Sequence, residues 1–159
     1  MVYRTLMSSP PSTTPLTVGS MLRLAWTEVT DENRDALAAA GFDDLRYDAH
    51  RMIIRDMLVA NLRPSQLGAR LGLSKQAAND LVREYEAKGY ITLEPDPDDG
   101  RAKRIVATER GRQAVEIAMQ SSNTVGHRWA TQVGEERYAV FEEVLREITT
   151  ADSDRGPTR

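Results

Sequence analysis

Apolar residues recur at three- and four-residue steps along most of the chain, which is the spacing of helices that bury one face. We expect helices over 18–40, 46–60, 64–71, 74–88, 108–131 and 134–150. Gly41 is well placed to end the first helix, because glycine readily adopts the left-handed conformation of a helix end. Residues 30–33 are polar all round, so we expect a weak point in the middle of that helix.

Two apolar stripes mark the last two predicted helices. The first stripe consists of Val115, Ala118, Met119, Ser122, Gly126 and Trp129. The second stripe consists of Tyr138, Phe141, Val144, Leu145 and Ile148. Each stripe predicts one buried face along its helix.

The middle of the chain carries two short helices followed by a hairpin. Pro64 suits the first position of one helix, and Ser74 suits the N-cap of the next. Residues 90–93 have strand character and 104–107 form the returning strand. Between them, 94–100 contains two prolines and a glycine and predicts a turn.

The two short helices satisfy the demands of a helix-turn-helix. Two helices that cross steeply need apolar residues at fixed offsets, and the chain supplies Leu67, Leu71, Leu73, Ala78 and Leu81. Gly68 is small enough for close approach of the backbones, and Gly72 tolerates a positive φ in the turn. An ordinary helical hairpin is the alternative interpretation. A hairpin of strands directly after a helix-turn-helix is typical of the winged form.

Basic residues concentrate just after the predicted turn. Between Arg101 and Arg112 the chain has five basic residues and one acid, Glu109, although its net charge is -3. The alternative explanation of this basic cluster is a solvated surface turn. Beside a helix-turn-helix, the cluster favours DNA, because neutralising phosphates supplies much of the affinity for a duplex.

The run from Pro64 to Arg112 resembles the winged helix-turn-helix of the multiple antibiotic resistance regulator (MarR) family. The resemblance is carried by Asp99 and Arg101 in the wing, and by Thr108 and Gly111 at the start of the next helix. The family usually has leucine where Ala107 stands. About a third of the chain resembles the family strongly, and the rest agrees in layout.

The resemblance implies a homodimer whose first, fifth and sixth helices interlace, and which reads an inverted repeat in DNA. Aromatic residues on the terminal helices give independent support, since so short a chain has little core in which to bury them. They are Trp26, Trp129, Tyr138 and Phe141. The alternative is that they fill the core of a monomer. The implied function is that of a transcriptional regulator, in particular a repressor that occupies promoter DNA.

Side chains at the start of the second short helix are the candidate base contacts. They are Ser74, Lys75, Gln76 and Asn79. Glutamine and asparagine pair with adenine, and lysine reaches guanine. We expect Arg101 to enter the minor groove, with Asp99 fixing its side chain by a paired hydrogen bond. The candidate phosphate contacts are Lys103, Arg104, Arg63 and Arg70.

Many proteins of the resembling family release DNA when a small molecule enters a cleft beside the DNA-binding lobe. The candidate lining of such an effector pocket is Trp26, Tyr47, His50, Arg51 and Ile54. Plain packing or surface exposure is the alternative for each. Cysteine is absent, so thiol sensing and thiolate metal sites are excluded.

The sequence favours no enzyme, cofactor or metal. It has only two histidines, His50 and His127, from which a zinc site or a His-dependent hydrolase could be built. Asp96, Asp98 and Asp99 cluster on the predicted turn without a partnering nucleophile or base. The second hypothesis for function is a helical protein-interaction module with a winged domain that no longer binds DNA.

We therefore expect a mainly α fold with a two- to three-stranded β-wing, a winged helix-turn-helix lobe and a helical dimerisation region. The expected parts are a flexible arm over 1–16, a domain over 17–150 and a disordered tail over 151–159. Within the domain, the lobe covers 46–108, and 17–40 and 109–150 form the dimer. No secretory signal or membrane-spanning run is evident, so we expect a cytoplasmic protein.

Overall fold

The computed structural model describes residues 16–45 and 61–151. In this part of the chain the elements are α1 (Val18–Ala39), α2 (Pro64–Leu71), α3 (Lys75–Ala87), β1 (Ile91–Asp96), β2 (Asp99–Ala107), α4 (Glu109–Val133) and α5 (Glu135–Ala151). The mainly helical class with a small antiparallel sheet is as predicted. The helix expected over 46–60 lies outside the described residues.

Hydroxyl side chains at the helix starts explain several of these bounds. Thr17 accepts a hydrogen bond from the Ser20 N–H at 3.1 Å, and Thr108 accepts one from the Gly111 N–H at 3.1 Å. Each satisfies a backbone donor that the first turn leaves without a partner. At the end of α2, Gly72 has φ 64°, a left-handed conformation that lets the chain turn directly into α3.

The polar stretch in the middle of α1 is a contact with α4. Thr30 and Asn33 are only 4% and 2% exposed. The Asn33 amide donates to the Ser122 hydroxyl of α4 at 2.9 Å, and the Thr30 hydroxyl donates to the Thr27 carbonyl within α1, so both buried polar groups have partners. The expected weak point at 30–33 is therefore wrong, and α1 runs through it unbroken.

The face of α4 that packs inward also differs from the predicted stripe. Met119 is 61% exposed, whereas Ala114, Ser121, Val125 and Ala130 are buried. Val115 and Ala118 of the predicted stripe are half-buried against the core, so the stripe lies at the edge of the buried face. Small residues instead lie inward along α4, and their size leaves room for close packing of neighbouring helices.

One apolar core joins the helix-turn-helix to the hairpin and to both long helices. Its members include Leu37, Leu67, Leu81, Tyr90, Ile91, Ile105 and Ala114. Leu67, Tyr90 and Ile105 are fully buried. Because α2, α3 and both strands contribute to the same core, the orientation of α3 relative to the hairpin is fixed by packing.

The hairpin is longer and its turn shorter than predicted. β1 and β2 pair antiparallel from Ile91↔Ala107 to Pro95↔Lys103, and only residues 97–98 lie between the strands. The expected turn over 94–100 and the returning strand over 104–107 are thus wrong in their bounds. A two-stranded sheet tolerates Pro95, because its missing N–H can lie on an edge that pairs with nothing.

A third segment contacts the sheet by one backbone hydrogen bond. The Ile105 N–H donates to the Leu62 carbonyl at 2.9 Å, just before α2 begins. The base of the wing is thereby attached to the helix-turn-helix through the backbone.

Replacing Gly68 by valine should lower the free energy of unfolding by about 1–3 kcal/mol. A Cβ at this position lies 3.1 Å from the Ala78 Cβ, where α2 crosses α3. The valine side chain would force the two helices apart. Urea unfolding followed by circular dichroism measures the effect.

Ala69→Val is the matched control, because Ala69 is the exposed neighbour of Gly68 on the same helix. Ala69→Val should lower the free energy of unfolding by only about 0.5 kcal/mol, which is the difference in helix propensity between alanine and valine. Equal losses for the two variants would show that close helix crossing at Gly68 is unimportant.

Candidate nucleic-acid interface

The first turns of α3 present polar side chains away from the core. Lys75 and Gln76 are exposed and Asn79 is half-buried. On the opposite face Ala78, Leu81, Val82 and Tyr85 are buried. The Ser74 hydroxyl accepts the Ala77 N–H at 3.2 Å and is used as the N-cap. Burial of one face of α3 therefore directs three of the four predicted base contacts outward.

Cations of the wing differ in whether an acid neutralises them. Arg101 and Lys103 are exposed and form no ion pair within 16–45 and 61–151. Arg104 is half-buried, and its guanidinium lies 3.7 Å from the Glu94 carboxylate on the neighbouring strand. The exposed part of the wing thus offers two unpaired positive charges.

In the folded chain, nearby acids neutralise part of the positive charge counted along residues 101–112. Arg110 lies 2.9 Å from the Asp44 carboxylate, and Arg112 lies 2.9 Å from Glu109. Together with Arg104, these residues account for three of the five cations in the run. The count along the sequence could not include the pairing of Arg110 with Asp44, because the two residues are 66 positions apart.

Asp44, Tyr90 and Arg110 form a polar cluster that connects the segment after α1 to the lobe. The Tyr90 hydroxyl donates to Asp44 at 2.5 Å, and Arg110 donates to Asp44 at 2.9 Å. Burial acts to raise the pKa of Asp44, but the bonds from Tyr90 and Arg110 outweigh it and lower the pKa. The Arg110 guanidinium also lies over the Tyr90 ring, 4.8 Å from its centroid.

Arg63 contacts two acids of the wing. Its Nε donates to Asp96 Oδ2 at 2.6 Å, and its Nη1 lies 3.6 Å from Asp99 Oδ2. The Asp96 side chain is only 10% exposed. The hydrogen bond from Arg63, together with the N–H of Asp98, lowers the pKa of Asp96, so the carboxylate stays ionised. Arg63 therefore holds the buried Asp96 in place and lies close to the exposed Asp99.

Asp99 does not pair with the Arg101 side chain as predicted. Its Oδ1 accepts the backbone N–H of Arg101 at 3.1 Å, and its Oδ2 faces Arg63. Aspartate commonly accepts the backbone N–H two residues further on, which closes a small ring at a turn. Asp99 thus orders the backbone of Arg101 and leaves the guanidinium available.

Comparison with known proteins identifies the fold and its relatives. The sequence profile of the MarR family matches residues 57–102. The HTH-type transcriptional regulator SarZ of Staphylococcus saprophyticus is 28% identical over 92 residues, which are 58% of this chain and 63% of SarZ. The crystal structure of the transcriptional regulator Tm0710 from Thermotoga maritima is 26% identical, with a TM-score of 0.59 over 87% of this chain and 96% of that one. Residues 57–102 thus match the MarR family, and the curated and structural relatives are similar to the chain over a larger part of its length.

The likeness to solved MarR structures extends over most of the chain. S. aureus MepR, in a structure bound to an oligodeoxyribonucleotide, superposes with a TM-score of 0.54 over 86% of this chain and 99% of that one. At 18% identity this likeness concerns the fold alone. Thr108 and Gly111, which carried part of the family resemblance, form the N-terminal cap of α4.

Of the predicted effector pocket, only Trp26 lies within the described residues, on an exposed part of α1. Tyr47, His50, Arg51 and Ile54 lie outside them. Within 16–45 and 61–151, no three metal-binding side chains come together. No helix in this part of the chain has the length and apolar character needed to cross a bilayer.

Replacing Asp96 by asparagine should destabilise the protein at neutral pH, with a smaller effect in acid. Folding lowers the pKa of Asp96 below its usual 3.8, chiefly through the bond from Arg63. Such a carboxylate stabilises the fold above its unfolded pKa and loses that contribution as the pH falls through the folded pKa. The urea midpoints of wild type and Asp96→Asn should therefore differ at about pH 7 and converge towards about pH 3.

Comparing the two proteins at each pH cancels the titration of the other carboxylates. A midpoint difference that is the same across this range would contradict a charge-dependent role for Asp96.

Proposed function

We propose that this protein is a homodimeric transcriptional repressor that binds an inverted repeat in double-stranded DNA. The observation that carries the proposal is the position of α3. Its buried face packs on the core it shares with the hairpin, and its opposite face presents Lys75, Gln76 and Asn79 beside an unpaired basic wing. A helix presented in this way fits the major groove, which is about 12 Å wide.

Base recognition falls to the polar side chains at the start of α3. Gln76 and Asn79 each carry an amide that can donate to and accept from adenine, and Lys75 suits the acceptors of guanine. Ser74 is already engaged as the N-cap, so a contact with phosphate or base would use its remaining hydrogen-bonding capacity.

The wing supplies a contact on the flank of each half-site. Arg101 has an ordered backbone and an unpaired side chain near the hairpin tip, which suits insertion into a minor groove. Lys103 is exposed and unpaired, and suits a phosphate. Arg104, which lies near Glu94, is a weaker phosphate candidate, and Arg70 is an exposed candidate on α2.

Exposed apolar side chains on the terminal helices support a dimer. They are Val18, Met21, Leu22, Leu24 and Trp26 on α1, and Val140, Phe141, Val144 and Ile148 on α5. Ile148 is 63% exposed, although it belongs to the apolar face predicted from sequence. Contiguous apolar surface of this kind marks protein interfaces, and a second copy of the chain would cover both helices symmetrically.

A dimer with two lobes explains repression by occupancy. Two copies of α3 about one helical turn apart would read a repeat with two-fold symmetry, and the bound protein would block a promoter. A small-molecule effector entering a cleft beside Trp26 would release the DNA. Thermal-shift screening of phenolic acids, with and without operator DNA, tests this part of the proposal.

Selection of genomic fragments by the purified protein tests the proposal most broadly. Sequencing of the bound fragments should recover an inverted repeat near a promoter, and binding should weaken steeply as salt increases. If no fragment is retained even at low salt, the protein-interaction module with an inactive wing becomes the better description.

Gln76→Ala should change base preference at one position of each half-site. Loss of one bidentate contact costs about 1–3 kcal/mol of discrimination at that base pair. Repeating the selection with the variant measures this as a relaxed position in the recovered repeat. Gln120→Ala, at an exposed position on α4, is the control and should recover the wild-type repeat. A uniform loss of affinity for all sequences would show that Gln76 does not read a base.

A further inference from the structure

We propose that Arg63 is a positioning residue that holds the wing tip in the orientation needed for DNA, and does not itself contact phosphate. This inference rests on the proposed function, since it concerns how the wing reaches DNA. It replaces the sequence-based expectation that Arg63 binds phosphate.

Arg63 lies at the junction between the helix-turn-helix and the wing. It is the residue directly before α2, and its backbone N–H donates to the Gln66 side chain at 2.8 Å. Its guanidinium reaches across to the hairpin, to Asp96 on β1 and Asp99 on β2. One side chain therefore connects the first helix of the DNA-binding motif to both strands of the wing.

Each of the two acids uses its second oxygen to hold backbone at the tip. Asp96 binds Arg63 through Oδ2, and its Oδ1 accepts the Asp98 N–H at 2.9 Å. Asp99 faces Arg63 through Oδ2, and its Oδ1 accepts the Arg101 N–H at 3.1 Å. The two carboxylates thus transmit the position of Arg63 to the residues on either side of the turn.

We call the contacts of Arg63 with Asp96 and Asp99 the clamp. The position of the wing's base does not depend on the clamp, but the position of its tip does. Ile91 and Ile105 are buried in the core, and the Ile105 N–H donates to the Leu62 carbonyl. Residues 97–101 are exposed and have no such packing. Among the described residues, Arg63 forms the ion pairs that join Asp96 and Asp99 of the hairpin to the helix-turn-helix.

The charge on Arg63 is already matched. Asp96 and Asp99 lie against its guanidinium, and Asp98 adds to the negative potential around it. A phosphate arriving there would meet these acids, whereas no acid of the described ranges forms an ion pair with Arg101 or Lys103. The ordered tip lowers the entropy that Arg101 would otherwise lose on entering the groove.

A double-mutant cycle between Arg63 and Arg101 tests the proposal. Arg63→Ala should weaken binding to the selected operator by about 3- to 10-fold, the cost of ordering one or two residues on binding. In the background of Arg101→Ala, the same change should weaken binding by less than about twofold, since the contact it prepares is absent. The salt dependence of the double variant should equal that of Arg101→Ala.

Arg70→Ala is the matched control, because Arg70 is an exposed arginine on α2, the helix that Arg63 directly precedes. Its effect should be the same with and without Arg101. If Arg63 binds phosphate directly, its effect will also be independent of Arg101, and the double variant will show a shallower salt dependence than either single variant. That result would overturn the proposal.

Hydrogen exchange without DNA separates this inference from the proposed function. In Arg63→Ala the amides of Asp98 and Arg101 should exchange faster, while the amide of Ile105 keeps its wild-type rate. Asp96→Asn provides a second variant if Arg63→Ala does not fold, and it should give the same pattern. Unchanged exchange at both tip amides overturns the clamp, whereas failure of the wild type to bind any duplex overturns the proposed function alone.

Discussion

The shared core between the helix-turn-helix and the hairpin is the constraint on which the rest of the structure depends. Leu67 from α2, Leu81 from α3, and Tyr90 and Ile105 from the hairpin region bury one another. Because one face of α3 is committed to that core, Gln76 and Asn79 lie on the other face. The wing is fixed beside α3 by the same packing, so two DNA-facing elements acquire one relative orientation.

Charge pairing then selects which cations remain available. The chain is acidic overall, and most arginines in the described stretch 61–112 have an acid beside them: Arg63 has Asp96, Arg104 has Glu94, and Arg110 has Asp44. Arg101 and Lys103 have none among the described residues. An acidic protein can in this way keep a local surface for phosphate, because affinity for DNA depends on the charges that meet the backbone.

The sequence predicted local features well where a residue determines its own neighbourhood. Ser74 and Thr108 cap the helices expected of them, and Gly72 turns the chain between α2 and α3. Contacts between positions far apart along the chain could not be predicted from the sequence. Arg63 and Asp96 are 33 positions apart, and Asn33 and Ser122 are 89 apart, so no short pattern joins them. The predicted turn over 94–100 was too long because the strands remain paired as far as Pro95↔Lys103.

Site-directed cleavage of DNA gives the most direct test, and the absence of cysteine makes it clean. An iron–EDTA probe would be attached to Ala77→Cys on α3 or to Pro97→Cys at the wing tip, with Gln120→Cys on α4 as the control. On the selected operator, the α3 probe should cut at two central positions about one helical turn apart, and the wing probe at the two outer flanks. A single cut, or the same pattern from α4 as from α3, would contradict binding by two symmetric lobes.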